Sequence, residues 1–140
     1  MGRAFVVPVL MDTHVLVWLM GHVQTLGRGA RGLIEAAADA DAALVSAFSF
    51  WEVAMLVQRG RLLLAQPAAG WRQRVLDLGI QEVPVSGNIG ILAAGLEELP
   101  RDPADRIITA TALTQGATLI TADTSILEWN GQLARHDARI

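Results

Sequence analysis

Four short apolar runs, each separated from the next by helix-forming sequence, leave this chain few folds to choose from. They lie at Val9–Met11, Ala43–Ser46, residues 80–83 and Thr118–Thr121. Each has the length of a strand, not of a helix. The first belongs to a longer run that starts at Phe5, but Pro8 cannot donate to a ladder, so pairing is expected from Val9. Helices are expected over residues 13–20, 30–38, 48–59, 67–78 and 103–115, with a looser one through Ile89, Leu92, Ala93 and Leu96. Trp71, Val75 and Leu78 recur at i, i+4, i+7. Asp102, Pro103 and Gly116 form an N-cap, a first-turn proline and a stop. The 48–59 helix is apolar almost all round and reads as buried. Strands joined by connections this long are parallel, with helices on both faces of the sheet. The expected fold is therefore α/β, with residues 1–140 as one domain.

Composition narrows the chemistry. Cysteine is absent, which removes thiol catalysis and Cys-ligated zinc. All eleven basic residues are arginine, so lysine Schiff bases and Walker-type phosphate loops are also excluded. A net charge of −3 offers nucleic acid no global attraction, and any such binding needs a local patch. The apolar fraction of 52% fits a packed globular chain, and no apolar run reaches the roughly 18 residues of a membrane span. The expectation is a cytoplasmic protein without a signal peptide and without membrane association.

Four acids then stand out: Asp12, Glu52, Asp105 and Asp123. Each has an ordinary structural reading. Asp12 and Asp123 follow strands and could cap helices. Glu52 lies three residues after Ser49, as in a capping box. Asp105 sits in a first helical turn, where an acid suits the helix dipole. Yet all four fall at strand ends or helix starts, which in a parallel sheet share one edge. Ligands of such sheets bind at that edge. Caps need not be acidic, and two carboxylates about 4 Å apart repel by roughly 4 kcal/mol at an effective dielectric of about 20. Gathered acids stay ionised when a cation sits among them, and oxygen-only ligands suit Mg²⁺ or Mn²⁺.

Four segments carry a family resemblance. They are Leu10-Met-Asp-Thr-His-Val-Leu-Val-Trp-Leu, Val45-Ser-Ala-Phe-Ser-Phe-Trp-Glu-Val-Ala with Gly60-Arg61-Leu62, Arg101-Asp-Pro-Ala-Asp-Arg-Ile-Ile-Thr-Ala, and Thr118-Leu-Ile-Thr-Ala-Asp. In this order and at these separations they resemble PIN-domain nucleases, and within them the VapC-type toxins of prokaryotic toxin–antitoxin pairs. The resemblance implies a three-layer α/β/α fold with a short, four- to five-stranded parallel sheet, and a metal-dependent endoribonuclease. It makes Asp12 and Asp105 direct ligands of Mg²⁺ (or Mn²⁺), with Glu52 and Asp123 completing the pocket directly or through water. Glu52 would help deprotonate the attacking water. Thr121 and Ser49 would donate to the carboxylates, and Arg106 could reach a phosphate. RNA as substrate, an antitoxin partner and a homodimer follow from the same resemblance. The groove for the antitoxin is expected at the first two helices and from the Glu52 helix through Trp71. A short last strand is expected near residues 138–140. Two positions depart from the family: Pro100, where histidine is frequent, and Leu56, where lysine is frequent.

Other readings stay open beside this one. A PIN-like module could bind RNA or a partner without catalysis, and a housekeeping nuclease could share the fold. An aspartate-based phosphotransferase with Asp12 as nucleophile fits poorly, because His14 replaces the usual second acid and lysine is absent. Gly27-Arg-Gly-Ala-Arg-Gly32 matches a dinucleotide fingerprint but follows no strand, and reads as a chance match. His14 is expected to pack or hydrogen-bond near the first strand. Trp18, Trp51 and Trp71 are expected in the core or at an interface.

Overall fold

The computed structural model describes residues 6–140. Phe5, where the first apolar run begins, lies outside the described residues. The order is β1 (Val9–Met11), α1 (Thr13–Gly21), α2 (Arg28–Asp39), β2 (Ala43–Ser46), α3 (Ala47–Gln58), α4 (Ala68–Asp77), β3 (Gln81–Val83), α5 (Gly87–Ala94), α6 (Pro103–Gln115), β4 (Thr118–Thr121), α7 (Thr124–Leu127) and β5 (Arg135–Asp137). A 3-10 turn, Val23–Thr25, joins α1 to α2. The five strands form one sheet in the order β3-β2-β1-β4-β5, and every pairing is parallel.

Alternation of side chains divides the core into two layers. Val9, Met11, Val45 and Ile120 face Val15, Leu16, Ile34, Val53, Trp71 and Val75, which come from α1 to α4. Leu10, Leu44 and Leu119 face Ile89, Ala93, Ile108 and Ile126, which come from α5 to α7. The result is the three-layer α/β/α arrangement. No helix among the described residues is long and apolar enough to cross a membrane.

Strand order reverses at β1, which pairs with β2 on one side and β4 on the other. The connections that leave β1 and β4 therefore diverge, and a crevice opens between their carboxyl ends. Asp12 follows β1 directly, and its amide donates to the Ile120 carbonyl at 3.0 Å.

Two expectations need correction. The last strand is Arg135–Asp137, not residues 138–140. Beyond it the chain turns onto the start of α2: Gly27 N donates to the Ala138 carbonyl at 2.8 Å and Gly29 N to the Ile140 carbonyl at 2.9 Å. A Cβ on Gly27 would collide with the backbone of Arg139 and Ile140, and one on Gly29 would stand 2.9 Å from the Ile140 carbonyl oxygen. Two glycines of the Gly-x-Gly-x-x-Gly segment thus serve a backbone-to-backbone packing, not a phosphate loop. The second correction concerns α3, which is not buried all round. Only Ser49 and Val53 are buried, and Trp51 is 56% exposed while packing on Phe48 at 5.1 Å between ring centroids. Trp71 is core, and Trp18 packs partly buried against the same layer.

Candidate active site

The four acids converge. Asp12, Glu52, Asp105 and Asp123 line one cleft with a cavity of about 230 Å³, together with Thr13, His14, Val17, Leu56, Arg61 and Leu62. Each acid arrives by a simple local device. Asp12 caps α1, accepting from Thr13 N at 2.8 Å, and Asp123 caps α7, accepting from Ser125 N at 2.8 Å. Asp105 lies in the first turn of α6 because Asp102 caps that helix, accepting from Ala104 N at 2.9 Å. Glu52 is not part of a capping box. Ser46 caps α3, accepting from Phe48 N at 3.1 Å, which leaves Ser49 and Glu52 within the helix facing α1.

Buried hydroxyls orient the carboxylates. Thr121 Oγ1 donates to Asp12 Oδ2 at 2.6 Å and accepts from Asp123 N at 3.0 Å. One hydroxyl so ties the ends of β1 and β4. Thr13 Oγ1 lies 2.5 Å from Glu52 Oε1 and 2.8 Å from Ser49 Oγ. Thr13 has one proton, and an ionised Glu52 can only accept it, so Ser49 donates in turn to Thr13. Ser49 therefore acts on Glu52 through Thr13 and does not touch the carboxylate itself.

The cleft is electrostatically unbalanced. Burial pushes the Asp105 carboxyl up to about 8, helped by the charges of Asp123, Asp102 and Asp12. Burial also raises Glu52, opposed by the Thr13 hydrogen bond and assisted by Asp12 and Asp102. Arg61 is the single cationic side chain among the lining residues. A bound divalent cation would relieve this repulsion. As placed, no three acidic or imidazole groups among the described residues form a ready metal cage. The donor set is oxygen-only, and Mg²⁺ held by one or two of these carboxylates would fill its remaining positions with waters and substrate oxygens.

Arg106 is turned away from the cleft. Its guanidinium donates to the carbonyls of Ala93 at 2.8 Å and Leu99 at 3.1 Å, which fastens the end of α5 to α6. Sequence reasoning gave no role in the cleft to its three polar lining residues besides the acids. Thr13 and His14 lie beside Asp12 in the first motif, and Arg61 follows the Gly60 that ends α3 (φ +70°). Their neighbours were the available signal.

An apolar groove adjoins the cleft, lined by Val17, Met20, Leu62, Leu63, Trp71 and Arg74 among others. It joins α1 to α4 through the segment from Leu62 to Ala65; of the elements expected to form a partner groove, neither α2 nor the Glu52 helix α3 lines it.

Comparisons with known proteins bear on the family and the fold. The family model of the PIN domain matches residues 9–130. A curated relative, "Ribonuclease VapC22" of Mycobacterium tuberculosis (strain ATCC 25618 / H37Rv), is 36% identical over 116 residues, covering 82% of this chain and 86% of that protein. Among solved structures, VapBC2 from Rickettsia felis, bound to a DNA fragment from its promoter, superposes with a TM-score of 0.65 at 14% identity, covering 91% and 96% of the two chains. A toxin–antitoxin complex from Klebsiella pneumoniae gives 0.59 at 22% identity, covering 93% and 97%. At these identities the two structures bear on the fold alone.

Proposed function

This chain belongs to the PIN-domain family, and we propose that it is a metal-dependent endoribonuclease acting as the toxin of a toxin–antitoxin pair. The observation that carries the reading is the meeting of Asp12, Glu52, Asp105 and Asp123 in one cleft at the carboxyl edge of the sheet. The similarity to a ribonuclease of the VapC group supports the substrate class.

Asp12 and Asp105 would hold Mg²⁺ directly, with Glu52 and Asp123 as further or water-bridged ligands. The bound ion would supply a polarised water and a hold on a phosphate oxygen. Thr121 fixes Asp12 by donating to Oδ2, so the carboxylate presents one orientation. Thr13 does the same at Glu52 Oε1, which leaves Oε2 to accept a proton from the attacking water. Burial raises the affinity of Glu52 for that proton. Water adds to phosphorus in line, the P–O3′ bond breaks, and the departing O3′ takes a proton from solvent. The products are a 5′-phosphate and a 3′-hydroxyl, so the ribose 2′-hydroxyl is not the nucleophile.

The groove beside the cleft fits an inserted segment of an antitoxin. Leu63 is 94% exposed there, and such a side chain asks for an apolar partner. A homodimer belongs to the same proposal, with exposed Trp51 and Ile91 as apolar surface to cover. The test is cleavage of structured RNA by partner-free protein with Mg²⁺ or Mn²⁺. Fragments that can be ligated through a 5′-phosphate, and that vanish with chelator, are the expected result. Cyclic 2′,3′-phosphate ends would overturn it.

A further inference from the structure

His14 has no assigned role, yet both ring nitrogens are placed. Ala122 N donates to His14 Nε2 at 2.9 Å. A nitrogen that accepts a backbone N–H carries no proton, so the ring is the neutral tautomer with its proton on Nδ1. That Nδ1 lies 3.7 Å from Asp12 Oδ2, beyond hydrogen-bond reach, and the oxygen already accepts from Thr121. No described residue accepts the Nδ1 proton. The ring packs edge-on against Trp18, at 5.1 Å and 61°, which limits its rotation.

The cleft makes this donor significant. Thr13 has committed its proton to Glu52, and Val17, Leu56 and Leu62 have none to give. Of the lining side chains, His14 and Arg61 alone carry donor hydrogens that no described residue accepts. A phosphodiester entering among four acids needs such donors on its non-bridging oxygens. Resting on the nuclease reading above, we propose that His14 has two tasks. Its Nδ1–H binds a non-bridging oxygen of the RNA phosphate, and its Nε2 holds the Ala122 amide and so positions the turn that carries Asp123. One ring thereby couples substrate contact to the placement of an acid more than a hundred residues away.

Two substitutions separate the tasks. In His14→Gln the amide oxygen can take the place of Nε2, which keeps the tether and displaces the donor. In His14→Asn the amide nitrogen can take the place of Nδ1, which keeps the donor and loses the tether. Tether integrity is read by hydrogen exchange at the Ala122 amide, and the tautomer by ¹⁵N shifts of the imidazole; neither needs activity. The expectation is an unprotonated Nε2 in the wild type. His14→Gln should raise KM about tenfold with slow Ala122 exchange, and His14→Asn should speed that exchange and lower kcat about tenfold with KM little changed. A proton on Nε2, or Gln and Asn variants that share one kinetic profile, would overturn the proposal. A wild type with the expected tautomer that cleaves no RNA would instead defeat the nuclease reading, and the substrate contact with it.

Discussion

Thr121 and Asp12 are 109 residues apart in sequence and 2.6 Å apart through Thr121 Oγ1 and Asp12 Oδ2. The bond spans the switch point of the sheet, and the same hydroxyl accepts from Asp123 N. Two acids are thus set by one buried side chain. Thr121→Val keeps the shape and removes both bonds. Loss of one such outer partner should weaken Mn²⁺ binding by about 10- to 100-fold, and Thr121→Ser should restore most of it. Calorimetric titration with Mn²⁺ checks this.

Thr13 bears on Glu52 in the same way. Its hydrogen bond favours the ionised carboxylate, against burial and the charges of Asp12 and Asp102. Thr13→Val removes the favourable contact, so the Glu52 carboxyl should titrate higher. The acidic limb of the pH–rate profile should move to higher pH, and Thr13→Ser should return it. A profile unchanged in Thr13→Val would separate Glu52 from the rate-determining proton transfer.

Asp105 predicts that the metal-free protein gives up stability to keep a metal-binding carboxylate. Its carboxyl is pushed up to about 8, so between the ordinary carboxyl range and that value the metal-free folded chain holds a proton the unfolded chain has released. Stability of the metal-free protein must fall as pH rises through that window. Asp105→Asn removes the penalty and should stabilise the metal-free protein near pH 7.5 by on the order of 1 kcal/mol, after allowance for solvent screening. Thermal melts check the sign. Added Mg²⁺ should raise the melting temperature of the wild type, and of Asp105→Asn much less.

Gly27 serves the fold alone. Gly27→Ala sets a methyl group against the backbone of residues 139 and 140. The tail must shift, and a loss of about 1–3 kcal/mol is expected from such overpacking. Melting temperature should fall while cleavage at room temperature stays near the wild-type rate.

Much of this was legible in sequence, for physical reasons particular to each residue. Val9–Met11, Ala43–Ser46 and Thr118–Thr121 are fully or nearly fully buried, so burial itself wrote their apolar runs. Asp12, Asp105 and Asp123 declared themselves by standing where strands end or helices begin. Arg135–Asp137 gave no such signal, because a half-buried edge strand reading Arg-His-Asp has no apolar face to mark it. Arg106 follows Asp105, but the helix turns it toward the Ala93 and Leu99 carbonyls, a contact set by packing against α5. Ser49 suggested a capping box by spacing, and Ser46 took that place instead. Thr13 and His14 act through partners 39 and 108 residues distant, and no local pattern encodes such pairs.

The most direct measurement compares wild type with Asp12→Asn and Asp105→Asn on end-labelled structured RNA in Mg²⁺ and in chelator. The prediction is discrete fragments from the wild type with metal, and at least about a hundredfold slower cleavage in either variant, by analogy with loss of a group that stabilises transition-state charge. Equal cleavage by wild type and both variants, unaffected by chelator, would contradict the assignment of the acidic cleft as the active site.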